Sequence, residues 1–237
     1  MSNTNDKAFL ILTQISTYGF PVSIKVLGHD LRMPLSSLYR YISLLKDWNY
    51  IEENPITKEI FIGSTSLLLT KSYEKTKGES KEIEATLERL RDITGETSVY
   101  MVPAGYHALC VESRESHNAL RCSFEIGQTQ PLVKGATSKI ILANLPSGRQ
   151  RKVAQFYGVD IDSPKWVSEI SKIKKDGFCI SYSEYNEGVV GISVPVKHKK
   201  TVVGALSIMS PQRRTDGMTQ LVLQNLLNEA SILSGMD

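Results

Sequence analysis

The chain has 237 residues, of which 41% are hydrophobic and 22% are charged, so it is long and apolar enough for one or two packed domains, and wholesale disorder is excluded. Its formal net charge of +3 permits a polyanionic partner but does not by itself predict one. No apolar run approaches the roughly 18 residues of a membrane span and no secretory signal opens the sequence, so we expect a soluble cytoplasmic protein with no membrane partner.

Residues 1–63 are predicted to form three helices followed by a β-hairpin. Apolar residues recur at helical spacing up to Gly19, and Ser23 is placed to cap a second helix. A third helix follows Pro34, and the turn signal Asn54-Pro55 separates two short strand patterns. Three helices and a hairpin in this order are typical of a winged helix-turn-helix, in which the third helix enters the DNA major groove and the hairpin is the wing.

The third predicted helix has an unusual exposed face, which carries Ser36, Arg40 and Ser43 in place of the usual glutamates and lysines. A helix that approaches base edges must be slim, and carboxylates on it would face phosphate charge, so this face favours DNA reading. A small helical bundle with a polar surface helix is the alternative. The apolar face is formed by Leu38, Tyr41, Ile42 and Leu45. The predicted DNA-contacting residues are Ser23, Ser36, Ser37, Tyr39, Arg40, Ser43 and Lys58.

The clearest domain boundary in the sequence lies near Gly78. A leucine-rich helix over residues 64–79 is predicted to link the two domains, and it either carries a dimer contact or packs against its own domain. Residues 80–237 combine helical and strand patterns joined mostly by short turns, which predicts an α+β domain on an antiparallel sheet. One predicted strand covers residues 118–128, and a short helix is predicted to begin at Thr137 or Ser138.

Residues 127–143 (GQTQPLVKGATSKIILA) combine glycines, a proline and small residues at the start of that short helix. Backbone N–H groups at a helix start favour an anionic ligand. A tight loop that needs glycine, followed by a helix that needs a cap, explains the same pattern without a ligand. Both interpretations remain open at this point.

Patterns for catalysis and metal binding are scarce. The three cysteines are widely spaced in apolar runs, which indicates buried reduced thiols, and the four histidines lack metal-ligand spacing. His107 beside Cys110 is interpreted as an exposed turn residue next to a buried thiol, and Glu184 and Glu187 as solvated loop charges. No nucleophile elbow, phosphate loop or dinucleotide fingerprint is present. We therefore predict no enzyme activity, no catalytic residues, no metal and no cofactor.

Three motifs, each weak alone, occur in the order found in the IclR family of bacterial transcriptional regulators, which the sequence resembles over nearly its whole length. The family pattern P-x-x-T-x-x-R, then L-x-x-L and a wing glycine, is similar to Pro34, Ser37, Arg40, Leu44/Leu45 and Asn49. The segment P-L-H-x-x-A-x-G-K-A-L-L-A is similar to Pro131, Leu132, Val133, Ala136, Ser138, Lys139 and Ala143. The closing G-Y-x-x-x-x-x-E-x-x-x-G is similar to Gly177, Phe178, Glu184 and Gly188. Asn49 replaces the wing glycine and, like glycine, tolerates a positive φ.

The resemblance implies a winged helix-turn-helix that reads double-stranded operator DNA, a GAF-like domain that binds a small effector, and a homodimer or dimer of dimers. Family effectors are often small organic acids or aromatic compounds. Three positions depart from the family pattern, namely Val133, Ser138 and Met209. With the helix start and facing strands, the predicted effector-binding residues are Leu132, Gly135, Ala136, Thr137, Ser138, Ser181, Gly191, Ser193, Ser207 and Met209.

We therefore expect a transcriptional regulator, a repressor or an activator, whose operator binding responds to a small molecule. The alternative is a small-molecule sensor or enzyme whose N-terminal domain mediates protein contacts. Acidic residues around Arg40 would suit a protein-contact face and would be unfavourable on a face that reads DNA.

Overall fold

The computed structural model describes residues 4–76, 80–215 and 217–235. The chain divides into two compact units, unit 1 (Met1–Gly78) and unit 2 (Glu79–Asp237). Residues 77–79, the end of the predicted linking helix, lie outside the described residues. Within the described ranges, the helices are too short or too polar to cross a membrane.

Over its described residues, 4–76, unit 1 forms four helices and a two-stranded antiparallel sheet. The sheet pairs Ile51 with Ile62 and Glu53 with Ile60, and Val22 bridges to Ile60 from the chain before the second helix. The elements are α1 (Thr4–Tyr18), α2 (Ile24–Asp30), α3 (Leu35–Asp47), β1 (Ile51–Glu53), β2 (Ile60–Ile62) and α4 (Thr65–Thr76).

Local chemistry explains where these elements begin and end. The Ser23 hydroxyl accepts a hydrogen bond from the Val26 N–H (3.3 Å) and caps α2, as predicted. Asn49 adopts φ +54°, the left-handed conformation expected for the residue that replaces a wing glycine. The four side chains that helical spacing places on the apolar face of α3 are buried, namely Leu38, Tyr41, Ile42 and Leu45.

Unit 2 is built on a six-stranded antiparallel sheet with strand order β5-β4-β3-β8-β7-β6. Its first half comprises α5 (Ser80–Thr94), β3 (Thr97–Ala104), β4 (His107–Arg114), β5 (Thr129–Pro131), α6 (Ala136–Asn144) and α7 (Ser147–Tyr157). Its second half comprises α8 (Pro164–Asp176), β6 (Cys179–Tyr182), β7 (Val189–His198), β8 (Thr201–Pro211), α9 (Gln212–Thr215) and α10 (Thr219–Ser234).

The two faces of the sheet are covered by different helices, so unit 2 has two cores. One face packs on α6, α7 and α8 through residues such as Ile140, Val153 and Ile170. The other packs on α5 and α10 through residues such as Leu87 and Leu226. Strand residues alternate between the two cores, and this alternation determines which side chains face α6.

The predicted strand over residues 118–128 is wrong. Leu120, Phe124 and Ile126 have the same parity and would share one face of a strand, yet Phe124 is buried while Leu120 and Ile126 are 70% and 59% exposed. The segment is a loop held by individual hydrogen bonds, including one from the Thr97 hydroxyl to the Cys122 carbonyl (2.5 Å). The strand beside β4 is the shorter β5, which follows this loop.

Candidate functional sites

The N-terminus of α6 faces the sheet, and N–H groups at this helix start donate hydrogen bonds to side chains. Gly135 precedes the helix with φ +82°, a conformation that strongly favours glycine. Its N–H donates to Glu184 Oε2 (3.1 Å), and the Ala136 N–H donates to Ser181 Oγ (2.9 Å). Two donors that a helix start normally leaves unpaired are therefore satisfied by groups from β6 and the loop after it.

Behind this helix start lie three buried hydroxyl groups. Ser193 and Ser207 are directly paired across β7 and β8, so their side chains share the sheet face toward α6. Thr137 Oγ1 is 2.8 Å from Ser207 Oγ and 3.1 Å from Ser193 Oγ, and Ser207 donates to Ser193 (2.7 Å). The predicted helix start at Thr137 or Ser138 is therefore wrong: the Thr137 hydroxyl belongs to this triangle, and Gly135 takes the cap position.

A small cavity of about 30 Å³ opens beside these groups. It is lined by Phe124, Gln130, Gly135, Ala136, Thr137, Ser181, Glu184, Tyr185, Asn186, Val189, Gly191 and Met209. This volume holds about two water molecules, because each needs roughly 10–15 Å³. Six of the predicted effector residues line it: Gly135, Ala136, Thr137, Ser181, Gly191 and Met209.

The other four predicted effector residues lie behind the cavity wall. Ser193 and Ser207 reach it only through Thr137, while Leu132 belongs to the core beneath α6 and is fully buried. Ser138 is also fully buried, and its hydroxyl has no hydrogen-bond partner among the described residues. These positions support the cavity and do not line it.

Sequence reasoning missed the loop side of the cavity, where Glu184, Tyr185 and Asn186 approach α6. Glu184 could have been recognised from the sequence, because its position matches the glutamate of the third family motif. Glu184 is exposed, as predicted for a solvated loop charge, but its carboxylate also accepts hydrogen bonds from the Gly135 N–H and Lys139 Nζ, which the sequence analysis did not predict.

Lys139, itself buried, forms an ion-pair cluster with two partly exposed glutamates at the edge of the cavity. Its Nζ lies 2.6 Å from Glu169 Oε1 and 2.7 Å from Glu184 Oε2, and the side chain is only 8% exposed. Burial lowers the pKa of this ammonium, but hydrogen bonds to Glu169 and Glu184 raise it by more, so the pKa lies above its ordinary value. Lys139 therefore remains charged at neutral pH and holds two elements against α6.

The three cysteines are free thiols, as predicted, although Cys122 is half-buried. Burial raises the pKa of Cys110 and Cys179 to about 12 and that of Cys122 to about 11, so all three are neutral at pH 7. His107 is buried, which corrects its interpretation as an exposed turn residue, and burial lowers its pKa. Within the described ranges, no group of three or more His, Cys, Asp or Glu residues is placed to hold a metal ion.

In unit 1, α3 presents most of the predicted DNA-contacting side chains on its open face. Ser36, Tyr39, Arg40 and Ser43 are exposed, and Ser37 is half-buried. Arg40 is positioned by its neighbour: its guanidinium carbon lies 4.9 Å from the Tyr41 ring centroid, and Nη2 donates to Tyr41 Oη (2.9 Å). The cation therefore rests on the helix surface at the edge of this face.

The two remaining predicted contacts lie outside α3. Ser23 is half-buried at the start of α2, where its hydroxyl is used as a cap. Lys58 is exposed in the hairpin turn with φ +60°, and its Nζ is 3.5 Å from Glu53 Oε1. Ser23 therefore lies at the start of the helix before α3, and Lys58 lies between the two strands of the hairpin.

Unit 1 also has an apolar groove of about 570 Å³. We call it the α1–α3 groove, and it is lined by Ala8, Phe9, Leu12, Tyr41, Leu44, Leu45, Trp48, Tyr50 and Leu69. Phe9 and Trp48 are 70% and 68% exposed, which is unusual for large apolar side chains that share one surface. The groove has the character of a contact surface and not of a solvated face.

Comparison with known proteins connects these features to a family. Residues 79–234 match the family model described as "Bacterial transcriptional regulator IclR C-terminal". Curated relatives include the probable transcriptional regulator SauR of Cupriavidus necator, 21% identical over 88% of this chain and 86% of its own. Another is the HTH-type transcriptional regulator KipR of Bacillus subtilis, 24% identical over 77% of this chain and 76% of its own.

Solved structures agree with this assignment. The C-terminal domain of a transcriptional regulator from Vibrio cholerae is 45% identical, with a TM-score of 0.64, over 67% of this chain and 98% of that domain. An IclR regulator from Silicibacter is 20% identical, with a TM-score of 0.76, over 98% of this chain and 95% of that one, which shows a shared fold. The chain belongs to the IclR family of bacterial transcriptional regulators, which are not enzymes.

Proposed function

We propose that the protein is a sequence-specific transcriptional regulator that binds operator DNA in the cytoplasm. A small organic effector raises or lowers its affinity for this DNA. The observation that carries this proposal is membership of the IclR family. It is supported by the exposed face of α3, which carries hydroxyl groups and an arginine, and by a small cavity at the start of α6 in unit 2. An enzyme is not supported, because the family consists of regulators.

Unit 1 acts in this proposal as a winged helix-turn-helix. The α2–α3 pair followed by the β1–β2 hairpin has the required order. The exposed face of α3 carries small side chains, which allow the helix to approach base edges closely. Asp47 is the one acidic residue of α3, and it lies in the last turn, away from Ser36 and Arg40. Carboxylates are therefore absent from the part of α3 assigned to the major groove.

Unit 2 acts as a GAF-like effector domain with its site at the start of α6. The cavity offers hydroxyl donors from Thr137 and Ser181, and Met209 supplies a wall that can adapt to different ligand shapes. The effector in this proposal is a small organic molecule, and the lining side chains must move to admit it, because about 30 Å³ holds only about two water molecules.

Replacing Gly191 by valine is expected to block this site. A Cβ at Gly191 would lie 3.5 Å from Ala136 Cβ and 3.3 Å from Ser181 Oγ, so the larger side chain projects into the cavity. Ligand affinity should fall at least about tenfold because the added methyl groups exceed the space available. Calorimetry with the effector measures this loss. Gly148→Val is the matched control, because a Cβ there has no atom within 4 Å; equal ligand affinity in both variants would place the effector elsewhere.

The α1–α3 groove suits self-association into the homodimer, or dimer of dimers, that this proposal includes. Trp48→Ala is expected to weaken dimerisation about tenfold, because a large aromatic residue in an interface contributes 1 kcal/mol or more. Sedimentation analysis over a concentration series gives the dimer dissociation constant. Ile56→Ala, at an exposed hairpin residue outside the groove, is the control. An unchanged constant for Trp48→Ala would remove the groove from the interface.

Selection from a random double-stranded DNA library tests the proposed function directly. A dimer with two copies of α3 should select one sequence arranged as two half-sites about one or two helical turns apart. Failure of the full-length protein to enrich any sequence over several rounds, at low salt, would contradict the proposal.

A further inference from the structure

Unit 2 contains a second cavity, on the face of the sheet opposite α6. It lies between the start of α5, the end of α10 and the β7–β8 hairpin, and its volume is about 240 Å³. Its apolar walls are Ile83, Tyr100, Val196, Val203 and Leu233. An apolar cavity of about 150 Å³ accommodates benzene, so this larger one accommodates an apolar group of about six to eight carbon atoms.

A bulge in the sheet shapes one wall of this cavity. Val196 pairs with Gly204 and Lys197 pairs with Val202, so Val203 is an extra residue of β8 with no partner in β7. A bulge of this kind turns one side chain away from the direction that regular pairing would give it. Val203 lines the cavity and is 38% exposed, so the bulge contributes an apolar side chain where a ligand can reach it.

The elements around the cavity are fastened to one another. The Lys197 N–H at the end of β7 donates to the Ser234 hydroxyl at the end of α10 (3.0 Å). The guanidinium of Arg89 on α5 donates to both carboxylate oxygens of Glu229 on α10 (3.0 and 2.8 Å). The cavity is therefore bounded by elements whose spacing is fixed before any ligand binds, as in most small-molecule sites.

The exposed side of the cavity is basic. Lys197 and His198 line it, and two further exposed lysines (199–200) follow in the hairpin turn. Glu82 also lines it, but its carboxylate lies 3.7 Å from the Arg89 guanidinium, which balances its charge. Ammonium groups beside apolar walls match a ligand that has an anionic group at one end of an apolar body.

We propose that this cavity is a second ligand site of unit 2, which binds an organic acid with an apolar body of about six to eight carbon atoms. The apolar body lies against Tyr100, Val203 and Leu233, and the carboxylate lies at Lys197. The sheet separates this site from the cavity at the start of α6, because the two cavities adjoin the cores on its opposite faces. The proposal goes beyond the proposed function and does not rest on it.

Calorimetry of the full-length Gly191→Val protein tests the proposal, because that substitution projects into the α6 cavity and leaves the second cavity unchanged. The ligands are phenylacetate and hexanoate, with phenylacetamide and hexanamide as uncharged counterparts. Both acids should bind. Each amide should bind about threefold more weakly than its acid, because it lacks the charge that attracts the solvent-exposed lysines.

Substitutions that fill the cavity are made in the same Gly191→Val protein. Val203→Trp should weaken binding of both acids at least about tenfold, because the indole takes the space of the apolar body. Leu233→Trp fills the cavity from α10 and replaces this variant if Val203→Trp folds poorly. Val167→Trp is the matched control: Val167 is 50% exposed on α8, at the other face of the sheet, and its replacement should leave acid affinity unchanged.

A second pair of variants tests the ligand's charge. Lys197→Gln should lower acid affinity about threefold and leave amide affinity unchanged, because it removes one ammonium group from the cavity edge. Lys172→Gln removes an exposed ammonium group from α8 and should change neither.

Absence of acid binding by the Gly191→Val protein would overturn the proposal, as would acid affinities that Val203→Trp and Leu233→Trp both leave unchanged. Equal affinities for the acids and their amides, or equal effects of Lys197→Gln and Lys172→Gln, would overturn the assignment of an acidic ligand. These measurements involve neither DNA nor the α6 cavity, so such failures would leave the proposed function intact.

Discussion

Operator affinity is expected to fall by about 10³-fold or more when salt is raised from about 50 to about 200 mM. A dimer that places α2, α3 and the hairpin on two half-sites makes roughly 6–10 phosphate contacts, and each neutralised phosphate releases a bound counterion. The net charge of only +3 does not oppose this expectation, because the proposed phosphate contacts would be made by local groups such as Lys58 and helix-start N–H groups. Fluorescence anisotropy of labelled operator DNA across a salt series measures the slope.

Circular dichroism over the same salt range serves as the control that the protein remains folded. A nearly flat logarithmic plot would contradict DNA as the partner. A slope equivalent to only two or three phosphates would indicate that a single copy of unit 1 binds.

Arg40→Ala is expected to weaken operator binding about 10³-fold while non-specific binding falls only a few-fold. A bidentate arginine–guanine contact contributes roughly 1–3 kcal/mol of discrimination, and a dimer makes it twice, so the loss is about 4 kcal/mol. The contact of Arg40 with Tyr41 holds the guanidinium against α3, and in the proposed complex it would be exchanged for a contact with the base edge. Anisotropy on operator and scrambled duplexes measures both losses.

Arg40→Lys distinguishes the possible roles of this residue. Lysine keeps the charge but lacks the planar fork, so a guanine contact predicts nearly the same loss as alanine, and a phosphate contact predicts near recovery. Tyr41→Phe keeps the ring and removes the hydroxyl acceptor, and it should not lower operator affinity. Wild-type affinity of Arg40→Ala on both duplexes would exclude Arg40 from the interface.

Helical and strand periodicity predicted the elements in which one face is buried and the other is exposed. The buried face of α3 follows from spacing alone. The common face of Ser181, Ser193 and Ser207 depends on the pairing register of β6, β7 and β8, which spacing within one strand does not determine. The false strand over residues 118–128 shows the limit: its apolar residues have strand parity, but Leu120 and Ile126 lie in solvent, and the strand pairing beside β4 is confined to Thr129–Pro131. Tertiary context overrides local pattern there.

The candidate site was predictable where it lies on regular elements and unpredictable where it lies on loops. Gly135, Ala136 and Thr137 follow from a glycine before a helix start. The direction of Glu184 depends on a contact 45 residues away in the sequence, with Lys139, which no local periodicity encodes. Ser138 was placed in the site as part of the helix start and Leu132 as an apolar wall, but both side chains are fully buried, and Leu132 belongs to the core beneath α6.

The most direct test of the regulator function is the affinity of the full-length protein for its selected operator, measured with and without the effector, in wild-type and Gly191→Val proteins. Coupling between two sites is typically about 1–3 kcal/mol, so the effector should change wild-type operator affinity by about fivefold or more. Gly191→Val should bind the operator as tightly as the wild type and show no response. Equal operator affinity of the wild-type protein with and without effector, or an equal response in Gly191→Val, would contradict a regulator that senses its effector at the start of α6.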